Sequence, residues 1–252
     1  MSDCLAGLAT VTGMLASKQV LSVAEARLAA VTAIMPLAPP TAWASLSQQT
    51  GVESTPVTIA ASHPVAAGVD AAQYRAGTGP VLRAFSAGEP VIVDDLAADP
   101  QWSAVVAGLA DPTDEALVRA VLSCPLAPFG QPGIALNLYA AEPGAYRGRP
   151  AQAGRYAAAS LALALAGIDQ RALAGQLEQA LRSNRRIGTA MGILMSGSRC
   201  TEDQAITTLR RCSQNSNRRL TDIADYVVLT GALPGDCEDT SADGVESAPA
   251  AN

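Results

Sequence analysis

The stretch Leu173–Ser196, LAGQLEQALRSNRRIGTAMGILMS, narrows most sharply what this chain can fold into. Projected at about 100° per residue, it places Leu173, Leu177, Ala180, Ile187, Met191 and Leu194 along one side of an α-helix. Arg182, Arg185, Arg186 and Thr189 fall on the opposite side, within roughly 100° of arc. The apolar spacings of 4, 3, 7, 4 and 3 make a heptad seam. Its one polar member, Asn184, is the residue type that fixes register between paired helices. Such a helix needs a partner along its apolar edge, either within its own domain or in a second copy.

Length and charge set the frame around that helix. At 252 residues two domains are expected, and 49% hydrophobic residues suffice for packed cores. Two Trp, five Tyr and two Phe leave few rings for base stacking, so any nucleic-acid binding must rest on charge and helix shape. The net charge of −6 is unevenly spread. Residues 173–233 hold eight Arg against five acidic residues, a balance of +3, whereas residues 234–252 hold five acidic residues and no basic one. A basic island between acidic flanks suits an anion-binding module, and a solvated helix face shows the same pattern.

Other chemistry is poorly supplied. Cys4, Cys124, Cys200, Cys212 and Cys237 lack paired metal-ligand spacing and read as reduced thiols of a cytoplasmic protein. His63 is the only histidine, which argues against a zinc centre or a Ser-His-Asp triad; just before Pro64 at the end of a predicted strand, it reads as an edge residue. Neither haem nor an iron–sulfur cluster has its ligands, so no cofactor is expected. Asp94 and Asp95 could suggest an acid–base pair, but neighbours on a strand point to opposite faces. A loop-capping role follows instead, and the chain is not expected to be an enzyme. The N-terminus lacks a basic start, and no run of 18 apolar residues occurs, so neither export nor a membrane span is expected.

In chain order, residues 1–19 read as a loose leader. Ser22 with Glu25 forms a capping box for a helix to Met35, ended by Pro36, Pro39 and Pro40. Strands are predicted at 42–48, 56–62, 90–94, 121–126 and 133–139, with helices at 64–74 and 79–86, loop and helix turns at 99–109 and 114–118, and a turn at FGQPG. After a polar loop at 143–149, helix runs from Pro150 through Met195. Thr201 with Gln204 caps a second helix. Asn217 is read as the cap of a third, with Arg218 and Arg219 in its first turn and Gly231 closing it. Cations there oppose the helix dipole unless an anion is near. The fold class is α+β: an antiparallel sheet flanked by helices, then a three-helix module.

The run AAQYRAGTGPVLRAFSAGEPVIVDDL, then VLSCPLA, then GIALNLYAAEPGAY, resembles the GAF domains that precede ANTAR domains in actinobacterial regulators. Residues 177–233 resemble an ANTAR domain throughout, including AMGILM, the TEDQA start of the second helix and the SQNSNRRL start of the third. The resemblance implies a GAF-like sensor at 20–168 and an ANTAR-like RNA-binding module at 169–234, while the tail at 235–252, acidic and without an apolar period, is expected to be disordered. The resemblance also implies a dimeric antiterminator acting on paired stem-loops in transcripts.

The residues then suggest roles. Arg182, Arg185, Arg186, Arg210, Arg211, Arg218 and Arg219 are the candidates for RNA backbone or loop contacts, and Thr189 for a base contact. Gly188 and Gly192 each cost a helix about 1 kcal/mol, so something should offset them: helix packing at Gly188, RNA approach at Gly192. Leu173, Leu177, Ala180, Asn184, Ile187, Met191 and Leu194 form the dimer seam. An unidentified small ligand is expected between the sheet and residues 64–86, and no membrane is involved. The competing reading is a DNA-binding regulator, since a three-helix module can enter a major groove.

Overall fold

The computed structural model describes residues 22–51, 54–109, 118–127 and 133–237. The predicted leader, the helix turn at 114–117, nearly all of the FGQPG turn and the acidic tail beyond Cys237 lie outside the described residues. The chain divides into two compact units, Met1–Ala172 and Leu173–Asn252.

In the first unit the capping box forms as expected. Ser22 and Glu25 satisfy each other's backbone donors and start α1, Val23–Ile34. Five strands follow: β1 Trp43–Gln48, β2 Val57–Ala61, β3 Val91–Val93, β4 Ala120–Pro125 and β5 Ile134–Ala140. They make one antiparallel sheet in the order β2-β1-β5-β4-β3. Between β2 and β3 lie α2, Pro64–Ala76, and α3, Pro80–Ala87. Both end on glycines in the left-handed region, Gly77 and Gly88. A short α4, Ser103–Ala107, precedes β4.

Side-chain alternation on the central strands separates two cores. Leu136 and Leu138 of β5, with Leu122 and Cys124 of β4, face one core with α1 and the start of α5, the helix Arg149–Ser198. Tyr139 and Val121 face the other, with Val65 and Val69 of α2, Trp102 and Val105. Gly154 of α5 is a point of close approach: a Cβ there would collide with Leu122 Cδ2. The predicted polar loop at 143–149 carries one core residue, because Tyr146 is fully buried and its hydroxyl lies 3.1 Å from Thr41 Oγ1.

Helix α5 is 50 residues long, and none of its glycines interrupts it. In the second unit its end packs with α6, Glu202–Asn215, and α7, Leu220–Thr230. Thr201 and Gln204 form the expected capping box, and Gly231 closes α7 at φ 79°. Ala190 and Leu194 meet Ala205, Leu209, Cys212, Ile223, Ala224 and Val227 in the core. Two expectations need correction here. Asn217 does not cap α7: it takes φ 51°, and the helix begins three residues later behind Arg219, which offers no side-chain cap. Arg218 and Arg219 therefore precede the first turn. The cysteines are not all reduced either, since Cys212 and Cys237 form a disulfide, while Cys124 and Cys200 are free. The turn after α7 returns Cys237 to the inward face of α6, a proximity that a separation of 25 residues does not reveal.

Candidate nucleic-acid interface

The predicted cationic edge of α5 is solvent-facing. Arg182, Arg185 and Arg186 are exposed, and with Gln179, Ser183, Thr221 and Asp225 they line an open groove of about 310 Å³ between α5 and α7. Gln179, Arg182, Ser183 and Arg186 recur at spacings of 3 or 4, so one helical stripe supplies one wall. Thr221 and Asp225, a turn apart on α7, supply the other. Arg186 Nη1 donates to Asp225 Oδ2 at 2.5 Å, and Arg182 Nη2 to Glu178 Oε2 at 3.4 Å. Among the described residues no carboxylate pairs with Arg185. The groove therefore presents cations beside neutral hydrogen-bonding groups, with one carboxylate inside it.

The remaining predicted contacts are scattered. Arg210, Arg211, Arg218 and Arg219 are exposed but do not line the groove, and neither does Gly192. Thr189 Oγ1 donates to the Arg185 carbonyl at 3.0 Å, so its hydroxyl proton is used within the helix. A Cβ at Gly188 or Gly192 would meet nothing within 4 Å. The close neighbour expected at Gly188 is not found among the described residues.

The seam divides. Leu173 and Leu177 are each 57% exposed, and Ala180 and Asn184 are exposed as well. Ile187, Met191 and Leu194 pack instead into the module's own core with α6 and α7. Sequence reasoning missed Gln179, Ser183, Thr221 and Asp225. The first two could have been found, because they share the stripe of Arg182 and Arg186.

In the first unit the space expected for a ligand between the sheet and α2 holds a buried polar network. Asp70 of α2, fully buried, accepts from Thr58 Oγ1 at 2.8 Å, from Asn137 Nδ2 at 3.2 Å and from the Tyr139 hydroxyl. Asn137 also donates to Ser47 Oγ at 2.7 Å, and Ser47 meets the Tyr74 hydroxyl at 2.5 Å. Gln73 Oε1 accepts from the Val81 amide at 3.0 Å, tying α2 to α3. Burial pushes the Asp70 carboxyl up to about 6 against the lowering effect of these donors, and raises both tyrosines. Asn137 Oδ1 and Ser123 Oγ are buried and have no hydrogen-bond partner among the described residues. An open depression of about 360 Å³ lies outside this network, between Gly77–Gly79, α3 and Trp102.

Asp94 and Asp95 serve as loop ties. Asp95 receives Arg119 Nε at 2.8 Å and Nη2 at 2.5 Å, and these hydrogen bonds hold its carboxyl below the ordinary range. Asp94 accepts from Arg147 Nη2 at 2.8 Å. His63 caps α2, its Nδ1 accepting from the Val65 amide at 3.2 Å. Among the described residues no cluster of His, Cys, Asp or Glu could hold a metal, and no helix is long and apolar enough to cross a membrane.

No curated protein matches the chain. Two family models do: the GAF domain over residues 21–166 and the ANTAR domain over residues 175–228. The first spans more than half the sequence and coincides with the five-stranded sheet and its helices, while the second coincides with the end of α5, α6 and most of α7. Architecture and family models agree that the chain belongs to the GAF domain family, with an ANTAR domain following the GAF domain.

Proposed function

We propose that this protein is a cytoplasmic, non-catalytic transcription regulator that binds stem-loop RNA through its ANTAR domain and promotes antitermination. ANTAR domains are RNA-binding antiterminator modules and GAF domains are sensor modules, which gives the coarse assignment. The arginine-lined groove between α5 and α7 carries the finer one. Guanidinium groups suit phosphate oxygens and base edges, and Gln179, Ser183 and Thr221 add neutral donors and acceptors beside them. The scarcity of aromatic residues fits recognition by charge and shape.

The active form is read as a homodimer. Exposed leucines at 173 and 177 on one side of the helix support this, as does Asn184, a heptad away from Leu177. The GAF domain acts as ligand sensor or dimer scaffold and takes no part in chemistry. Retention of labelled hairpin RNA and of duplex DNA of matching sequence, measured at one salt concentration, tests the reading. Preference for the hairpin supports it, and equal or greater retention of the duplex replaces it with a DNA-binding regulator.

A further inference from the structure

We infer that Cys212 and Cys237 are an oxidative modification site, a reversible thiol–disulfide clamp on the ANTAR domain. The Cα atoms stand 5.1 Å apart, a span that admits the bond without backbone movement. The two sulfurs differ in access. Cys212 is only 2% exposed, set among Ala205, Leu209, Ile223 and Val227, whereas Cys237 is half-buried on a single turn, Gly235–Cys237. Just before that turn Pro234 is buried, and its carbonyl accepts from the Cys237 amide at 2.8 Å.

This asymmetry assigns the chemistry. With a hydroperoxide as oxidant, the Cys237 thiolate attacks one oxygen, the O–O bond breaks, and hydroxide leaves a sulfenic acid on Cys237. The Cys212 sulfur then attacks Cys237 Sγ, the S–O bond breaks and water departs. Two thiols have given two electrons, and hydrogen peroxide has become two waters. Reduction runs through the accessible sulfur: a dithiol reductant attacks Cys237, Cys212 leaves as the thiol, and the second reductant thiol resolves the mixed disulfide. Cys124, fully buried, lacks the access that Cys237 has, and burial pushes its thiol up to about 12.

The bond closes a loop holding all of α7 and the turn with Arg218 and Arg219. Oxidation lowers the entropy that loop gains on unfolding and so holds α7, one wall of the groove, more firmly. The inference does not depend on what the groove binds.

Full-length protein, reduced with dithiothreitol and then exposed to hydrogen peroxide, tests it by non-reducing peptide mapping and melting followed by circular dichroism. The expected result is a linked Cys212–Cys237 peptide, abolished again by dithiothreitol, and a melting temperature several degrees higher in the oxidised form. In Cys237→Ser, which removes the half-buried partner and spares the core, melting becomes insensitive to peroxide. Free, alkylatable Cys212 and Cys237 after oxidation overturn the inference. So does a dominant link through Cys200, or an equal peroxide shift in Cys237→Ser.

Discussion

Arg186 and Asp225, 39 residues apart in sequence, are joined at 2.5 Å across the two walls of the groove, one on α5 and the other on α7. Asp225 holds the guanidinium in the groove, yet it also competes with any phosphate that arrives. Arg186→Ala is expected to lower hairpin affinity about tenfold, and the slope of log affinity against log salt falls by about 1. Asp225→Asn removes the competitor while keeping the shape, so affinity rises a few-fold at low salt and converges with wild type at high salt. Filter binding over a salt series reads both.

The buried carboxyl of Asp70 predicts a pH signature for the GAF domain. Its native value, raised by burial to about 6, lies above the ordinary 3.8, so between these pH values the folded state holds a proton that the unfolded chain has lost. Stability therefore declines as pH rises through that window, by about 3 kcal/mol in all, and levels off above it. Asp70→Asn should flatten the slope. Asp95, lowered by Arg119, acts below the window and with the opposite sign. Urea unfolding followed by tryptophan fluorescence is the measurement, since both tryptophans, Trp43 and Trp102, lie in the first unit.

Glycines along α5 divide by what surrounds them. Gly154→Ala forces Leu122 to move within a filled core, at about 1–3 kcal/mol, against a gain in helix propensity of about 1 kcal/mol. A net loss of about 1 kcal/mol is expected in denaturant unfolding. Gly188→Ala and Gly192→Ala have open space and should each stabilise the second unit by about 1 kcal/mol. If RNA approaches the backbone at 192, only Gly192→Ala weakens hairpin binding, which a single titration of each variant decides.

Leu177→Asp places a charge on the exposed seam without touching the core around Ile187, Met191 and Leu194. Sedimentation velocity should show a dimeric wild type and a monomeric variant, with the same helix content by circular dichroism. A wild type that sediments as a monomer at micromolar concentration removes the dimer from the proposal.

Elements with a local cause were legible in the sequence. Ser22 with Glu25 and Thr201 with Gln204 start their helices through bonds between residues three apart, and the strands follow the apolar runs. The start of α7 was not legible, because Asn217 adopts a left-handed conformation that a capping pattern does not encode. The polar interior of the GAF domain left only a trace. Ser45 and Ser47 alternate with Ala44 and Leu46 as a solvent-facing side would, yet both are buried and accept from Asn137 inside the domain. At the groove, the α5 stripe was readable from helical spacing. Asp225 and Thr221 were not, since their place depends on how α7 packs back on α5.

One strip of α5 changes owner along its length: from Leu173 to Asn184 it faces outward, and from Ile187 to Leu194 it belongs to the module's own core. A single deleted residue between them would swing one part by about 100° against the other, and no compensating side chain could restore both. Drift in this region can exchange one side chain for another, but the residue count between Asn184 and Ile187 is fixed.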